Sequence, residues 1–280
     1  MTSPAEPIDS STVLLNDGRR IPQLGFGTYL IPPNETTEAV EFAIAAGYRH
    51  VDTASYYRNE AGVGQAVRAS GIDRDKLWIT SKLPIGASTA DEVHRAIDKT
   101  VAELGSYIDL YLIHWPMPSR GNYPAVWRAL QKAQSDGRVG SIGVSNFHQR
   151  QLHRILDNEG VRPAVNQIEV HPYLPNTTLA QYCVDLNIAV EAWSPLGAGS
   201  VLHDVGILAL AEEAGRTVAQ VVLRWHIQRG HIVLPKASSP ERIQQNASVY
   251  DFTLTTEQMS RLDRLDRGES GRTGPNPESM

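Results

Sequence analysis

Four residues of this chain have the types and placement to do chemistry: Asp52, Tyr57, Lys82 and His114. Each lies at or just beyond the carboxyl end of an apolar run. HVDTASYYRNE carries the first two, LWITSKL the third and IDLYLIHWP the fourth. A strand buried on both faces reads as a continuous hydrophobic stretch. Ending it on an ionisable group is costly unless that group faces a cleft. An acid, a phenol, an amine and an imidazole gathered in one place are the parts of a proton-transfer centre. A phenol with its ordinary pKa near ~10 is a poor acid at neutral pH, and a neighbouring ammonium lowers that value. Lys82 is the candidate ammonium, Asp52 its partner, and His114 a hydrogen-bond donor to a substrate carbonyl. The implied task is to protonate a carbonyl oxygen while hydride reaches its carbon. No side chain delivers hydride, so a nicotinamide cofactor is expected.

The elements that must position these residues alternate along the chain. Strand-like LGFGTYL, RHVDTA, LWITSKL, IDLYLIHW, VGSIGVSN, PAVNQIEV, IAVEAWSPL and HIVLPKA are each followed by a segment with apolar residues at helical spacing. Eight such units, about 30 residues each, predict one (β/α)8 barrel, whose catalytic face is the carboxyl end of its strands. After the seventh strand comes a longer helical region around ILALAEEAGRTVAQVVLRWHIQRG. Gly47, Gly105, Gly137, Gly160 and Gly230 stand where helix-ending glycines belong. Before the first unit, Asp17-Gly18 between two short alternating runs predicts a hairpin over 12–22 that closes one end of the barrel. Residues 1–11 read as flexible, TTEQMSRLDRLDR as an additional helix, and 268–280 as a C-terminal loop. With no linker to divide it, the whole of 1–280 reads as one domain. A doubly wound sheet would open on a Gly-rich phosphate turn; Gly25-Phe26-Gly27-Thr28-Tyr29 lacks the third glycine before a helix.

Composition narrows the classes further. A formal charge of −5, mixed along the chain, argues against a nucleic-acid binder. Cys183 is the only cysteine, which excludes an intrachain disulfide and a cysteine-rich metal site. In LAQYCVDL it reads as a buried, inert thiol. No HExxH occurs, so no metal is expected. The N-terminus lacks the basic and apolar parts of a signal peptide, and no apolar run approaches the ~20 residues of a membrane span; a cytoplasmic protein is expected.

With these motifs in place, the chain resembles the aldo-keto reductase family from GFGTY to RTGPNP, and within it the prokaryotic branch of 2,5-diketo-gluconate reductase-like enzymes. DTASYYRNE resembles the family's Asp-x4-Tyr segment, which places Tyr57, not Tyr56, at the catalytic spacing. TSKL supplies the lysine and LIHWP the histidine, while GSIGVSNF and LPKASSPERIQQN resemble the two cofactor segments. The resemblance implies NADPH-dependent reduction of aldehydes and ketones, including α-dicarbonyls or keto-sugars, by a monomer with Asp52, Tyr57, Lys82 and His114 as its tetrad. For the nicotinamide carboxamide it implies Ser145, Asn146 and Gln167, with Trp193 stacking under the ring and Ser194 and Leu196 in the loop over the pyrophosphate. Lys236 and Arg242 would meet the adenosine 2′-phosphate, Ser238 standing near them, with Gln245 and Asn246 near the adenine. Tyr29, Trp115 and the C-terminal loop around Arg272 are expected in the pocket, Tyr56 as a residue that packs or supports the site from behind, and His171 as a structural residue or part of the pocket wall.

Two positions depart from the family pattern. Pro84 stands where many relatives carry a tryptophan, which removes an aromatic wall. Ala237 replaces a serine or threonine that often helps to bind the 2′-phosphate, and Ser238 is the neighbouring substitute. Two rivals remain in view: an NADPH-binding sensor without turnover, which shares the barrel, and a phosphate-substrate isomerase. The isomerase would want a glycine-rich cup where SPLGAGS and LPKASSPER stand.

Overall fold

The structure, a computed structural model, describes residues 11–157 and 160–280; of the segment expected to be flexible, residues 1–10 lie outside the described residues. The chain opens with the hairpin, β1 (Thr12–Leu14) pairing antiparallel with β2 (Arg20–Pro22). Its buried Leu15 and Ile21 pack with Trp78, Leu110, Val165 and Ile232, residues at the amino ends of barrel strands. The hairpin therefore plugs the floor of the barrel, as its position before the first unit predicts.

Eight parallel strands follow: β3 (Phe26–Gly27), β4 (His50–Asp52), β5 (Trp78–Lys82), β6 (Leu110–Ile113), β7 (Ser141–Ser145), β8 (Val165–Glu169), β9 (Ala189–Trp193) and β10 (Ile232–Val233). They lie side by side in chain order. The sheet closes on itself where Leu24 bridges Val233 and where the amides of Gly25 and Gly27 donate to Val233 O and Pro235 O at 2.9 and 3.1 Å. Gly25 is required at this seam, because a Cβ there would stand 2.6 Å from both His50 Nδ1 and Leu234 Cδ2.

The helices form the outer ring: α1 (Pro33–Ala45), α2 (Glu60–Ala69), α3 (Ala90–Leu104), α4 (Tyr123–Ser135), α5 (Gln149–Leu156), α6 (Thr177–Asp185), α7 (Val205–Ala214), α8 (Val218–Gln228), α9 (Pro240–Ala247) and α10 (Thr256–Asp263). Their apolar stripes join one continuous core against the outer faces of the strands. The longer helical region after the seventh strand consists of two helices, because Gly215 ends α7 in the left-handed conformation and Thr217 starts α8 with a capping box to Gln220. Of the five glycines expected to end helices, Gly47, Gly105, Gly137 and Gly230 take positive φ, while α5 ends at Leu156, before Gly160. The C-terminal segment expected as loop contains one 3-10 turn, Gly268–Gly271. Cys183 is buried on α6, where burial pushes its thiol up to about 11, and it accepts a hydrogen bond from Asn166 Nδ2 at 3.5 Å. Among the described residues no helix is long and apolar enough to cross a membrane.

Candidate active site

Side chains two apart on a strand share a face, so His50 with Asp52, Thr80 with Lys82, Gln167 with Glu169, and Glu191 with Trp193 form pairs. These pairs meet inside the barrel, because Gln167 of β8 reaches Asp52 of β4 across its axis at 2.9 Å. The upper interior is thus polar, while the core proper lies between sheet and helices.

Lys82 organises this interior. Its ammonium has no exposed surface and donates to Asp52 Oδ1 and Oδ2 at 2.7 and 2.8 Å, to Thr53 O at 2.9 Å and to Tyr57 Oη at 3.3 Å. Burial works against its charge, but Asp52, Tyr57 and Glu191 outweigh it and hold the Lys82 pKa above the ordinary value. Burial also raises the Asp52 carboxyl, against the pull of Lys82 and Gln167.

Tyr57 is carried on a single 3-10 turn, Ser55–Tyr57, directly after β4. The turn is pinned by Asn59, which is buried: its Nδ2 donates to Thr28 O and Ile31 O at 3.1 and 3.3 Å, and its Oδ1 accepts from Thr53 at 2.7 Å. Beside it, the buried Glu60 accepts from Ser81 at 2.5 Å. Lys82 pulls the Tyr57 phenol down, as expected, but burial outweighs it and the net shift is upward. Burial pushes it up to about 12, and the pull of Lys82 is partly cancelled by Asp52. The hydroxyl therefore keeps its proton at neutral pH, which a proton donor requires.

His114 follows β6 and faces Tyr57 edge-on, the ring centroids 5.8 Å apart. Burial, reinforced by Lys82, holds its pKa well below the usual histidine range, so the ring is neutral. Its Nδ1 is buried without a partner. A bare lone pair there is less costly than an unmatched N–H, so the proton belongs on Nε2, where it can be donated.

Above these groups opens a cleft of about 620 Å³. Tyr57, His114, Ser145, Asn146, Gln167, Trp193, Ser194, Leu196 and Lys236 all line it, as do Tyr29 and Trp115. Asn146 is more committed than its expected role suggests. It donates to His114 O and Ser145 Oγ, each at 3.1 Å, and accepts from Trp193 Nε1 at 2.8 Å, so it ties the imidazole segment to the tryptophan. Gln167 gives its amide nitrogen to Asp52 and to Glu191, at 2.9 and 2.6 Å, which leaves its oxygen for the cleft. The loop above β9 bends sharply, Ser194, Gly197, Ala198 and Gly199 all having positive φ, with Ser194, Leu196, Ala198 and Gly199 along the cleft.

Ser238, Arg242, Gln245 and Asn246 do not line this cleft. They continue beyond Lys236, with Ser238, Arg242 and Gln245 exposed and Asn246 buried. Ser239 caps α9 and Ala237 is buried, so Ser238 presents the exposed hydroxyl of this segment. Neither Lys236 nor Arg242 forms an ion pair with another described residue, and both are exposed.

One other pocket expectation changes. Tyr56, expected to pack or to support the site from behind, is 61% exposed and lines the mouth with its ring toward His114. Ile85, next to Pro84, lines the cleft, and Pro84 does not. The C-terminal loop around Arg272 reaches the cleft as expected, through Thr273, Gly274 and Pro275, while Arg272 itself pairs with Glu269 at 2.8 Å and lies 3.6 Å from Glu169. Glu169 anchors that tail, accepting from Thr273 N and Oγ1, both at 2.6 Å, from Gly274 N at 3.2 Å and from His171 at 3.0 Å. Burial opposes this carboxylate, but the donors more than offset it and its pKa lies below the ordinary value. The tail then rests on Trp193, so closely that a Cβ at position 274 would stand 2.5 Å from the indole Cη2.

Comparison with known proteins agrees with this arrangement. Residues 23–267 match the model of the aldo/keto reductase family. A glyoxal reductase of Bacillus subtilis is 41% identical over 271 residues, covering 96% of this chain and 97% of that protein. The methylglyoxal reductase DkgA of Yersinia pestis is 43% identical over 272 residues, covering 95% and 96%. Among solved structures, a mutant of Gox0644 in complex with NADPH superposes with a TM-score of 0.93 at 42% identity, covering 97% of this chain and 98% of that one.

Proposed function

This chain belongs to the aldo/keto reductase family, and from that premise we propose that Tyr57 protonates a carbonyl oxygen oriented by His114, in an NADPH-dependent reduction to the alcohol. The protein is an NADP-dependent reductase of carbonyl compounds. One observation carries the residue assignment: a fully buried Lys82 touches both oxygens of Asp52 and the hydroxyl of Tyr57, with Tyr57 and His114 on the same cleft.

When bound, NADPH supplies hydride to the carbonyl carbon. The residues present fit it. Trp193 lines the cleft, and Lys236 and Arg242 are exposed cations that pair with no other described residue, in the segment where a 2′-phosphate would be met. Ser145, Asn146 and the oxygen of Gln167 supply polar groups for a carboxamide. Ser194 and Leu196 would border the pyrophosphate, and Gln245 and Asn246 would stand toward the adenine.

The protein's own work is proton handling. The neutral His114 donates from Nε2 to the carbonyl oxygen and fixes its position. Tyr57 gives up its proton as negative charge develops on that oxygen. The cost of its phenolate is met by the Lys82 ammonium 3.3 Å away, which Asp52 keeps charged and in place.

The substrate end is aromatic and apolar, with Tyr29, Tyr56, Ile85 and Trp115 around the opening. The nearby cation, Arg272, is already committed to Glu269 and Glu169. This favours small neutral aldehydes and α-dicarbonyls over keto acids. NADPH consumption over a panel of both classes, with Tyr57→Phe alongside, tests the reading. Turnover of the neutral compounds by the native protein and its loss in the variant is the expected result. NADPH binding without turnover of any carbonyl would instead make the protein a cofactor sensor.

A further inference from the structure

A second carboxyl group lies under the tetrad, and the mechanism above gives it no role. Glu191 of β9 has no exposed surface. Its Oε2 accepts from Gln167 Nε2 at 2.6 Å, the same nitrogen that donates to Asp52 Oδ2 at 2.9 Å. Its Oε1 is buried with no hydrogen-bond partner, and His50 Nε2 is 3.7 Å away. Two carboxyl groups thus flank one amide nitrogen beside one ammonium.

We propose that Glu191 is a positioning residue of this site, which holds a proton, fixes the Gln167 amide with its oxygen toward the cleft, and leaves the Lys82 ammonium to Asp52 alone. The proposal rests on the reductase reading above.

Geometry decides which carboxyl keeps the proton. Both Asp52 oxygens touch Lys82, at 2.7 and 2.8 Å, whereas Glu191 has no cation in contact. Two like charges this close in a buried site cannot both ionise readily. Burial, then Asp52, push the Glu191 carboxyl up to about 8, against the pull of Gln167 and Lys82. His50, which burial holds at about 3, is neutral and cannot supply a balancing charge. The facing ionisable groups are therefore Asp52 and His50 from β4 and Lys82 from β5; the flanking β8 and β10 present Gln167 and Ile232 at its register.

The same contacts settle the orientation of Gln167. A carboxylate accepts and cannot donate, so the face of Gln167 toward Asp52 must be its NH2 group. Glu191 takes the second hydrogen of that group and holds the flip. If Glu191 ionises, a second anion competes for Lys82 and tightens the hold of Tyr57 on its proton, and reduction slows.

The test is the pH profile of kcat/KM for the native enzyme and Glu191→Gln, which keeps the shape and removes the titration. We expect the native rate to fall as pH rises past about 8, and the variant's alkaline limb to move upward by about one pH unit or more. A limb that stays in place, or moves downward, overturns the proposal. Glu191→Leu gives a second reading: with one acceptor gone, NADPH should bind about 3- to 10-fold more weakly, the scale of one hydrogen bond, and unaltered binding counts against it. Thermal unfolding supplies a readout independent of turnover. The folded-state pKa lies above the unfolded one, so stability from the bound proton is complete below about 4.5 and is lost by about 8. The native protein should therefore lose ground against Glu191→Gln between those values, and parallel curves would contradict a bound proton. If the native protein consumes no NADPH with any carbonyl, the reductase reading fails and takes this proposal with it. Normal native turnover with an unmoved limb overturns the proposal alone.

Discussion

At the amino ends of the strands, Asp109 accepts from Arg19 at 2.9 Å, from Arg74 at 2.7 Å and from the amide of Ile79 at 3.0 Å. At the carboxyl ends, Asp52 accepts from Lys82 and from Gln167. Both aspartates are 4% exposed. The difference lies in the cations. Arg19 and Arg74 keep 36% and 17% of their side-chain surface open and stack over Trp78 and Tyr107. Lys82 keeps none and shares its hydrogens with a phenol. A carboxylate with two guanidinium partners and a backbone amide is fully matched and holds the floor together. A carboxylate with one buried ammonium, a competing acid nearby and a phenol at the edge is finely balanced, and a small redistribution of charge moves a proton. The barrel keeps its stability at one end and its reactivity at the other.

Substitutions can break or sharpen that contrast. The largest loss of rate should come from Tyr57→Phe, about 10²–10⁴-fold in kcat with NADPH affinity retained, measured by steady-state kinetics beside fluorescence titration. A retained rate would remove Tyr57 from the chemistry. Asp52→Ala strands a buried ammonium, so it should cost about 3–5 kcal/mol in stability as well as most of the activity; chemical denaturation beside the rate assay separates the two. Asp109→Asn is the matched change at the other end. Its cations are partly exposed, so about 1–2 kcal/mol is expected with kcat unaltered, and a fall in kcat would refute the division of labour. Lys236→Ala should weaken NADPH far more than NADH, by direct titration. The smallest effect is expected for Glu169→Gln, which loosens the tail against Trp193 and should raise KM with little change in kcat.

Most of the frame is legible in the sequence because it is local. Apolar runs, helical spacing and the Asp17-Gly18 turn need no distant partner, and they predict eight strands and the hairpin. The tetrad residues are legible for a related reason: an ionisable group at the end of a buried run is anomalous wherever it stands. What was missed depends on partners far away in the chain. Gln167 meets Asp52 across 115 residues, and Thr273 meets Glu169 across 104, so neither the amide orientation nor the commitment of Arg272 shows in local pattern. Tyr56 and Tyr57 differ only in which way one short turn faces. Glu191 did leave a signal, a lone acid inside the apolar run IAVEAW. The reversal of the Tyr57 pKa follows from depth of burial, which spacing does not reveal.

The single cysteine has a chemical consequence of its own. Aldehydes and dicarbonyls are electrophiles, and thiolates are among the first groups in a protein to trap them. Cys183 is buried, and with its pKa pushed to about 11 it carries almost no thiolate at neutral pH. A carbonyl electrophile that reaches this protein therefore meets almost no thiolate to add to, and the nucleophiles left to it are amines and guanidines.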